Sequence, residues 1–220
     1  MSEHSNDRNV QRAANLDTAS ISDALDRLGI AGQCHAIAPV DSTFRMTGRA
    51  FTVLYGPAQT PPGTVGDFID DVPAASVVVI DNDGCSNATV WGDIMTELAH
   101  RRGIAGTVID GICRDVALCT EIGYPVYSRG HWMRTGKDRV QVEAVNVPVN
   151  IGGARVKAGD ILRGDADGVV VVPSEHEDKV LDVAEEIERV ENRIRGAVRD
   201  GARLDDARRE FGYHALQSRK

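Results

Sequence analysis

Asp93, Arg114 and Asp115 are the residues whose types and spacing could do chemistry: one carboxylate, twenty intervening residues, then a guanidinium and a second carboxylate side by side. One or two carboxylates surrounded by water suit a hard divalent ion, Mg²⁺ or Mn²⁺, better than zinc. A guanidinium can fork onto a carboxylate or an enolate oxygen. With a metal between Asp115 and a 2-oxo acid, the set would withdraw electrons as a carbon–carbon bond breaks. The same residues also have a plainer use. Asp is a favoured helix N-cap, and an exposed Arg–Asp pair contributes little. Spacing alone leaves both readings open.

The elements around these residues decide whether they can meet. "ASVVVID", 75–81, and "IAGTVID", 104–110, are continuous apolar runs, as expected of strands covered on both faces. "GDIMTELAHRRG" reads as a helix ending at Gly103, after a loop "NDGCSNATVW". "RDVALCTEIG" reads as a second helix closed by Gly123, and "YPVYSRG" as a third strand. Strand, helix, strand, helix, strand predicts right-handed parallel crossovers. Gly92-Asp93 and Arg114-Asp115 then open two helices at the carboxyl edge of one sheet, where open α/β folds place ligands. The first N–H groups there offer a seat for a carboxylate, with Gly92 permitting close approach.

Outside this core, the first dozen residues read as a flexible lead. Leu16, Ile21, Leu25 and Leu28 follow at helical spacing, with Gly29 as a stop. "GRAFTVLYG" is a strand, and "TPPGTVGDFIDDVP" a loop around a short helix. Residues 138–173 alternate short β-like pieces with Gly, Asn and Asp turns, predicting a β-rich layer on the α/β part. From Ser174, a plausible N-cap, Val180, Ala184, Ile187, Val190, Ile194 and Val198 recur at three- and four-residue steps, the pattern of a long amphipathic helix. That helix either packs on its own subunit or meets another.

The 220 residues are 42% hydrophobic and 26% charged, enough for a sizeable core in one domain, 1–220, with its body over about 18–173 and a helical extension over about 174–212. A net charge of -8 argues against a nucleic-acid binder that relies on a general positive field. No apolar run is long enough to span a membrane, and the polar N-terminus lacks a signal-peptide core. Cys34, Cys85, Cys113 and Cys119 contain no C-x-x-C pair, which suits free thiols in a reducing cytoplasm.

At "VWGDIMTELAHRRGIAGTVIDGICRD", and from about "SISDALDRLG" to "GDADGVVVVP", the chain resembles the RraA-like family, which includes class II pyruvate aldolases acting on 4-hydroxy-4-methyl-2-oxoglutarate. The family's aldolase signature, Asp then twenty residues then Arg-Asp, fits at Asp93, Arg114 and Asp115 without a gap. The resemblance implies an α/β fold with a central parallel βαβ core, a β-rich layer like that of phosphohistidine swivelling domains, and the long C-terminal helix. It also implies a homotrimer or a hexamer of trimers. Asp115 would ligate Mg²⁺ or Mn²⁺, and Gly92, Ile94 and Met95 would offer N–H groups to the substrate carboxylate. Arg114 would stabilise the pyruvate enolate, and Asp93 would orient a water that moves protons. Oxaloacetate decarboxylation is the expected companion activity. The family's other branch binds and inhibits a ribonuclease; it carries Gly in place of the first Asp and an acidic residue three positions after Arg-Asp. Asp93 and Leu118 depart from that pattern and favour the enzyme.

Other residues weigh less. His131 and Trp132, in "SRGHWMRTGKD", follow the third strand at the same sheet edge, where an imidazole could touch substrate or simply pack. His35 beside Cys34 lacks further ligands and reads as structural. "GDADG" reads as a turn, since an EF-hand glutamate is missing. "NIGG" and "GTVGD" match neither dinucleotide nor P-loop patterns, so NAD and ATP are not expected.

Overall fold

The computed structural model describes residues 7–213. Four consecutive parallel strands carry the site: β2 (Met46–Pro57), β3 (Ser76–Thr89), β4 (Gly106–Cys113) and β5 (Val126–His131). Helix α3 (Asp93–Arg101) connects β3 to β4, and α4 (Val116–Ile122) connects β4 to β5, as the apolar runs predict. Every residue of β4 is buried, which explains its lack of alternation. Gly123 ends α4 in the left-handed conformation, at φ 71°.

Antiparallel strands extend this core. β9 (Ile161–Asp165) pairs with the first half of β2, β10 (Gly168–Val172) pairs with β9, and β6 (Val140–Val145) pairs with the second half of β2. The short β1 (Ala38–Pro39) closes the other edge on β5. Most of the expected β-rich layer is therefore the same eight-stranded sheet continued. Only the hairpin of β7 (Val149–Ile151) and β8 (Ala154–Val156) stands apart from it. The N–H groups of Asn150 and Gly152 tie that hairpin down by donating to Asp81 and Asp110, at 2.9 and 2.7 Å.

Two apolar clusters flank the sheet. The larger is built on β2–β5 with Phe51, Trp91 and Tyr127; the smaller joins α2 (Thr18–Leu28) and α5 (Glu177–Arg199) to β9 and β10. Val180, Ala184, Ile187 and Ile194 of α5 are buried, as their spacing predicts, and the helix packs on its own chain. Val198, near its end, is 42% exposed, so the stripe fades. A last helix, α6 (Leu204–Glu210), follows.

Three expectations are corrected. Residues 8–14 of the presumed lead form helix α1 (Arg8–Ala14), capped by Asp7 and held to α5 by ion pairs of Arg12 with Asp182 and Glu185 at 2.5 and 2.7 Å; residues 1–6 lie outside the described residues. The segment expected as a loop after residue 81 continues β3 as far as Thr89, re-pairing with β4 through two register shifts. Ser174 does not cap α5. It opens a separate 3-10 turn, and its N–H donates to Asp160 at 2.9 Å.

Candidate active site

The carboxyl edge of the sheet brings the starts of α3 and α4 together. Gly92 is the N-cap of α3, and Asp93 its first residue. Asp115 is the N-cap of α4, yet its side chain makes no capping bond to that helix. Instead its Oδ2 accepts the N–H of Asp93 at 3.2 Å and lies 3.3 Å from Arg114 Nε. The start of α3 is thus completed by the residue that opens α4. The simple capping account of Asp115 fails, because its carboxylate faces away from its own helix.

Asp115 adopts φ 57°, ψ 38°, a left-handed conformation that Asp tolerates better than most residues but that still costs energy. Gly92 is needed for room, since its backbone is extended at φ -152°. A Cβ there would lie 2.8 Å from Asp115 Oδ2 and 3.2 Å from Arg114 Nε. The missing side chain is what lets the Asp115 carboxylate and the Arg114 side chain close on the start of α3.

Buried side chains brace the start of α3. The Trp91 indole N–H donates to Thr96 Oγ1 at 2.9 Å, and that hydroxyl donates to the Gly92 carbonyl at 2.9 Å. Trp91 in turn stacks on Tyr124, with ring centroids 6.1 Å apart. Cys119 also contacts Thr96 Oγ1, at 3.4 Å. Burial pushes the Cys113 thiol up to about 11 and raises that of Cys119. Burial likewise pushes Cys34 up to about 12. These cysteines are neutral at physiological pH, so none of the three offers a ready thiolate nucleophile.

A cavity of about 360 Å³ opens beside this corner, lined by Gly92, Asp93, Ile94, Met95 and Arg114. Arg114 also lines a neighbouring groove with Asp115, His131, Trp132 and Met133, so the guanidinium stands between the two spaces. Arg114 and Asp115 are each 38% exposed, open to a ligand. The expected carboxylate seat is partly engaged: the Ile94 N–H donates to Asp93 Oδ1 at 2.8 Å and the Asp93 N–H to Asp115. Ile94's side chain, 80% exposed, points to solvent.

The sequence reading did not include the cavity's other walls. They come from Val65–Asp70, around a 3-10 turn, and from Thr135–Lys137 after β5. Neither stretch carries a periodic or motif signal; only the "HWMRTGKD" neighbourhood hinted at the second. His35 remains apart from this corner, its N–H bonded to the Gly152 carbonyl at 2.9 Å.

Among the described residues, no group of three or more His, Cys, Asp or Glu side chains is placed to share a metal ion. The donors present at the corner are two carboxylates. Asp93 Oδ2 and Asp115 Oδ1 accept no hydrogen bond from the described residues. A hard ion that keeps most of its waters fits such a sparse oxygen set. Among the described residues, no helix is long and apolar enough to cross a membrane.

A family model described as RraA-like, Aldolase/RraA, matches residues 18–171. Protein DlpA of Legionella pneumophila is 38% identical over 93% of this chain, which spans about 34% of DlpA's length. A Halalkalibacterium halodurans protein, whose name proposes it as a 4-hydroxy-4-methyl-2-oxoglutarate aldolase, is 32% identical over 77% of this chain and 78% of its own. Among solved structures, an uncharacterized Pseudomonas syringae protein superposes with a TM-score of 0.86 at 43% identity, covering 91% of this chain and 96% of that one. Streptomyces coelicolor RraAS2, described as an unusual member of the RNase ES inhibitor RraA protein family, gives a TM-score of 0.79 at 26% identity, over 87% and 98% of the chains.

Proposed function

Because the chain belongs to the RraA-like family, we propose that it is a divalent-metal-dependent carbon–carbon lyase of the class II pyruvate aldolase type. It would cleave 4-hydroxy-2-oxo acids of the 4-hydroxy-4-methyl-2-oxoglutarate kind to pyruvate and decarboxylate oxaloacetate. The observation that carries this reading is the corner itself, where Asp93, Arg114 and Asp115 close around Gly92.

Asp115 is the residue to hold Mg²⁺ or Mn²⁺, which when bound supplies the electron withdrawal a 2-oxo acid needs as its bond breaks. Arg114, reaching into the cavity, donates to the developing enolate oxygen. The N–H groups at the start of α3 receive the substrate carboxylate, with Asp93 turning aside to free that of Ile94. Asp93 orients the water that takes the proton of the 4-hydroxyl and returns it to the enolate carbon. Oxaloacetate yields the same enolate by losing carbon dioxide, without the first proton step.

The trimeric or hexameric assembly and the cytoplasmic setting belong to the same proposal. Ile94, Trp132 and Met133, exposed beside the corner at 80, 42 and 73%, support a subunit contact there. Neither nucleic acid nor membrane is a proposed partner.

The test is pyruvate release from oxaloacetate and from 4-hydroxy-4-methyl-2-oxoglutarate, with Mg²⁺ or Mn²⁺ and with EDTA. Metal-dependent release from both is expected; release from neither sinks the reading. The likeness to RraAS2 supports a second reading, a protein that binds a ribonuclease. Asp93 and Leu118 speak against it, and capture of RNase E by the purified protein would reverse that preference.

A further inference from the structure

We propose that Lys137 is a specificity-determining residue, the cation that selects 2-oxo acids carrying a second carboxylate at the far end of the chain. The inference rests on the aldolase-type reading for where the first carboxylate sits.

The argument begins at Thr89, the last residue of β3. On one side Thr89 pairs with Ile112 of β4, two residues before Arg114. On its other side it forms a parallel bridge with Thr135, two residues before Lys137. The two cations therefore rise on either flank of the same strand end, with backbones about 10 Å apart from two strand spacings. Both line the cavity of about 360 Å³ that opens at Gly92.

The loop bearing Lys137 is fixed while its ammonium is not. The Arg134 carbonyl accepts both the N–H and the hydroxyl of Thr89, at 3.0 and 2.9 Å. Gly136 lies so close that a Cβ would meet the Thr89 carbonyl oxygen at 2.3 Å. The Lys137 N–H donates to Thr135 Oγ1 at 3.2 Å, and Arg139 Nη1 donates to the Lys137 carbonyl at 3.2 Å. Asp138 turns the chain in a left-handed conformation, φ 62°. Yet the Lys137 ammonium has no hydrogen bond or ion pair among the described residues. The cavity's carboxylates do not claim it: Asp70 faces Arg102 at 3.7 Å, and Asp67 and Asp93 lie beyond ion-pair reach. An exposed lysine on a backbone-fixed loop, with its charge unpaired and lining the same cavity as Arg114, fits a dianion bound end to end.

The test is calorimetric binding, in Mg²⁺, of 2-oxoglutarate and of 2-oxopentanoate, which has the same chain length without the second carboxylate. The wild type is expected to bind 2-oxoglutarate about tenfold or more tightly than 2-oxopentanoate. K137Q should lose that preference while keeping its 2-oxopentanoate affinity, and K137R should retain most of it. In turnover, K137Q should raise KM for a dicarboxylic substrate and leave kcat near the wild-type value. Equal binding of the two acids by the wild type overturns the proposal, as does an equal loss for both in K137Q. A selective wild type that releases no pyruvate would defeat the aldolase reading and leave the dicarboxylate subsite standing.

Discussion

Helix α5 is seated by a stripe of buried Val180, Leu181, Ala184 and Ile187 against α2 and β10, whereas the starts of α3 and α4 meet through one hydrogen bond and a missing side chain. The first arrangement is redundant, because each buried residue contributes its own share. The second has little redundancy: Trp91 and Thr96 brace the start of α3, but one side-chain hydrogen bond, that of the Asp115 carboxylate, joins it to the start of α4. Asp115 sits in a conformation that costs energy, its carboxylate makes no bond to its own helix, and a Cβ at Gly92 would press on that carboxylate. Damage to α5 should therefore appear as lost stability at constant chemistry, and damage to the corner as lost chemistry at nearly constant stability.

The sharpest way to break that contrast is Asp115→Asn. Asn tolerates the left-handed conformation and still presents an acceptor oxygen, so the melting temperature should stay within a few degrees. Activity should fall by about 10²–10³-fold, as when a charge-stabilising group is removed. Full pyruvate release by this variant would refute the metal assignment.

Next in size is Leu181→Ala, which empties a fully buried site and should cost about 2–5 kcal/mol. Denaturant melts check the loss, and kcat/KM per folded molecule should be unchanged. A drop in kcat/KM would mean that the two regions are coupled. Gly92→Ala comes third. Its Cβ would push on the Asp115 carboxylate, so activity should fall about tenfold or more with a modest stability loss of about 1–3 kcal/mol.

The smallest effect belongs to Arg12, which joins α1 to α5. Its hydrogen bond holds the Glu185 carboxyl below the usual range, against opposing burial. A depressed folded value means that this contribution is complete above the unfolded carboxylate value, about 4.3, and fades as pH falls through the folded one. Arg12→Gln should cost about 0.5–1 kcal/mol at neutral pH, given how exposed the partner carboxylates are. Melts at pH 7 and pH 3 should show that difference shrinking in acid; a difference that grows would refute the assignment.

The same contrast explains what could be read in advance. Apolar runs such as 75–81 and 104–110, and the stripe of α5, obey local periodicities, so β3, β4 and α5 were legible. Helix α1 was not, because its seven residues are held by ion pairs and an Asp cap with little apolar stripe of their own. Nor was the tail of β3, since "NDGCSNAT" has turn composition and becomes a strand only through re-pairing with β4 at Gly111 and Ile112. That Asp93, Arg114 and Asp115 would meet was legible, because two helix starts on one sheet edge must be neighbours. Lys137 was legible only as part of "HWMRTGKD", and Asp67 was not, because a loop brings it from 26 residues before Asp93.

The bond between Asp115 and the Asp93 N–H also couples the two positions energetically. Loss of the carboxylate at 115 uncovers the amide at 93, and a side chain at 92 presses on that same carboxylate. Mutations at 92, 93 and 115 should thus be strongly non-additive, each lowering the penalty of the next.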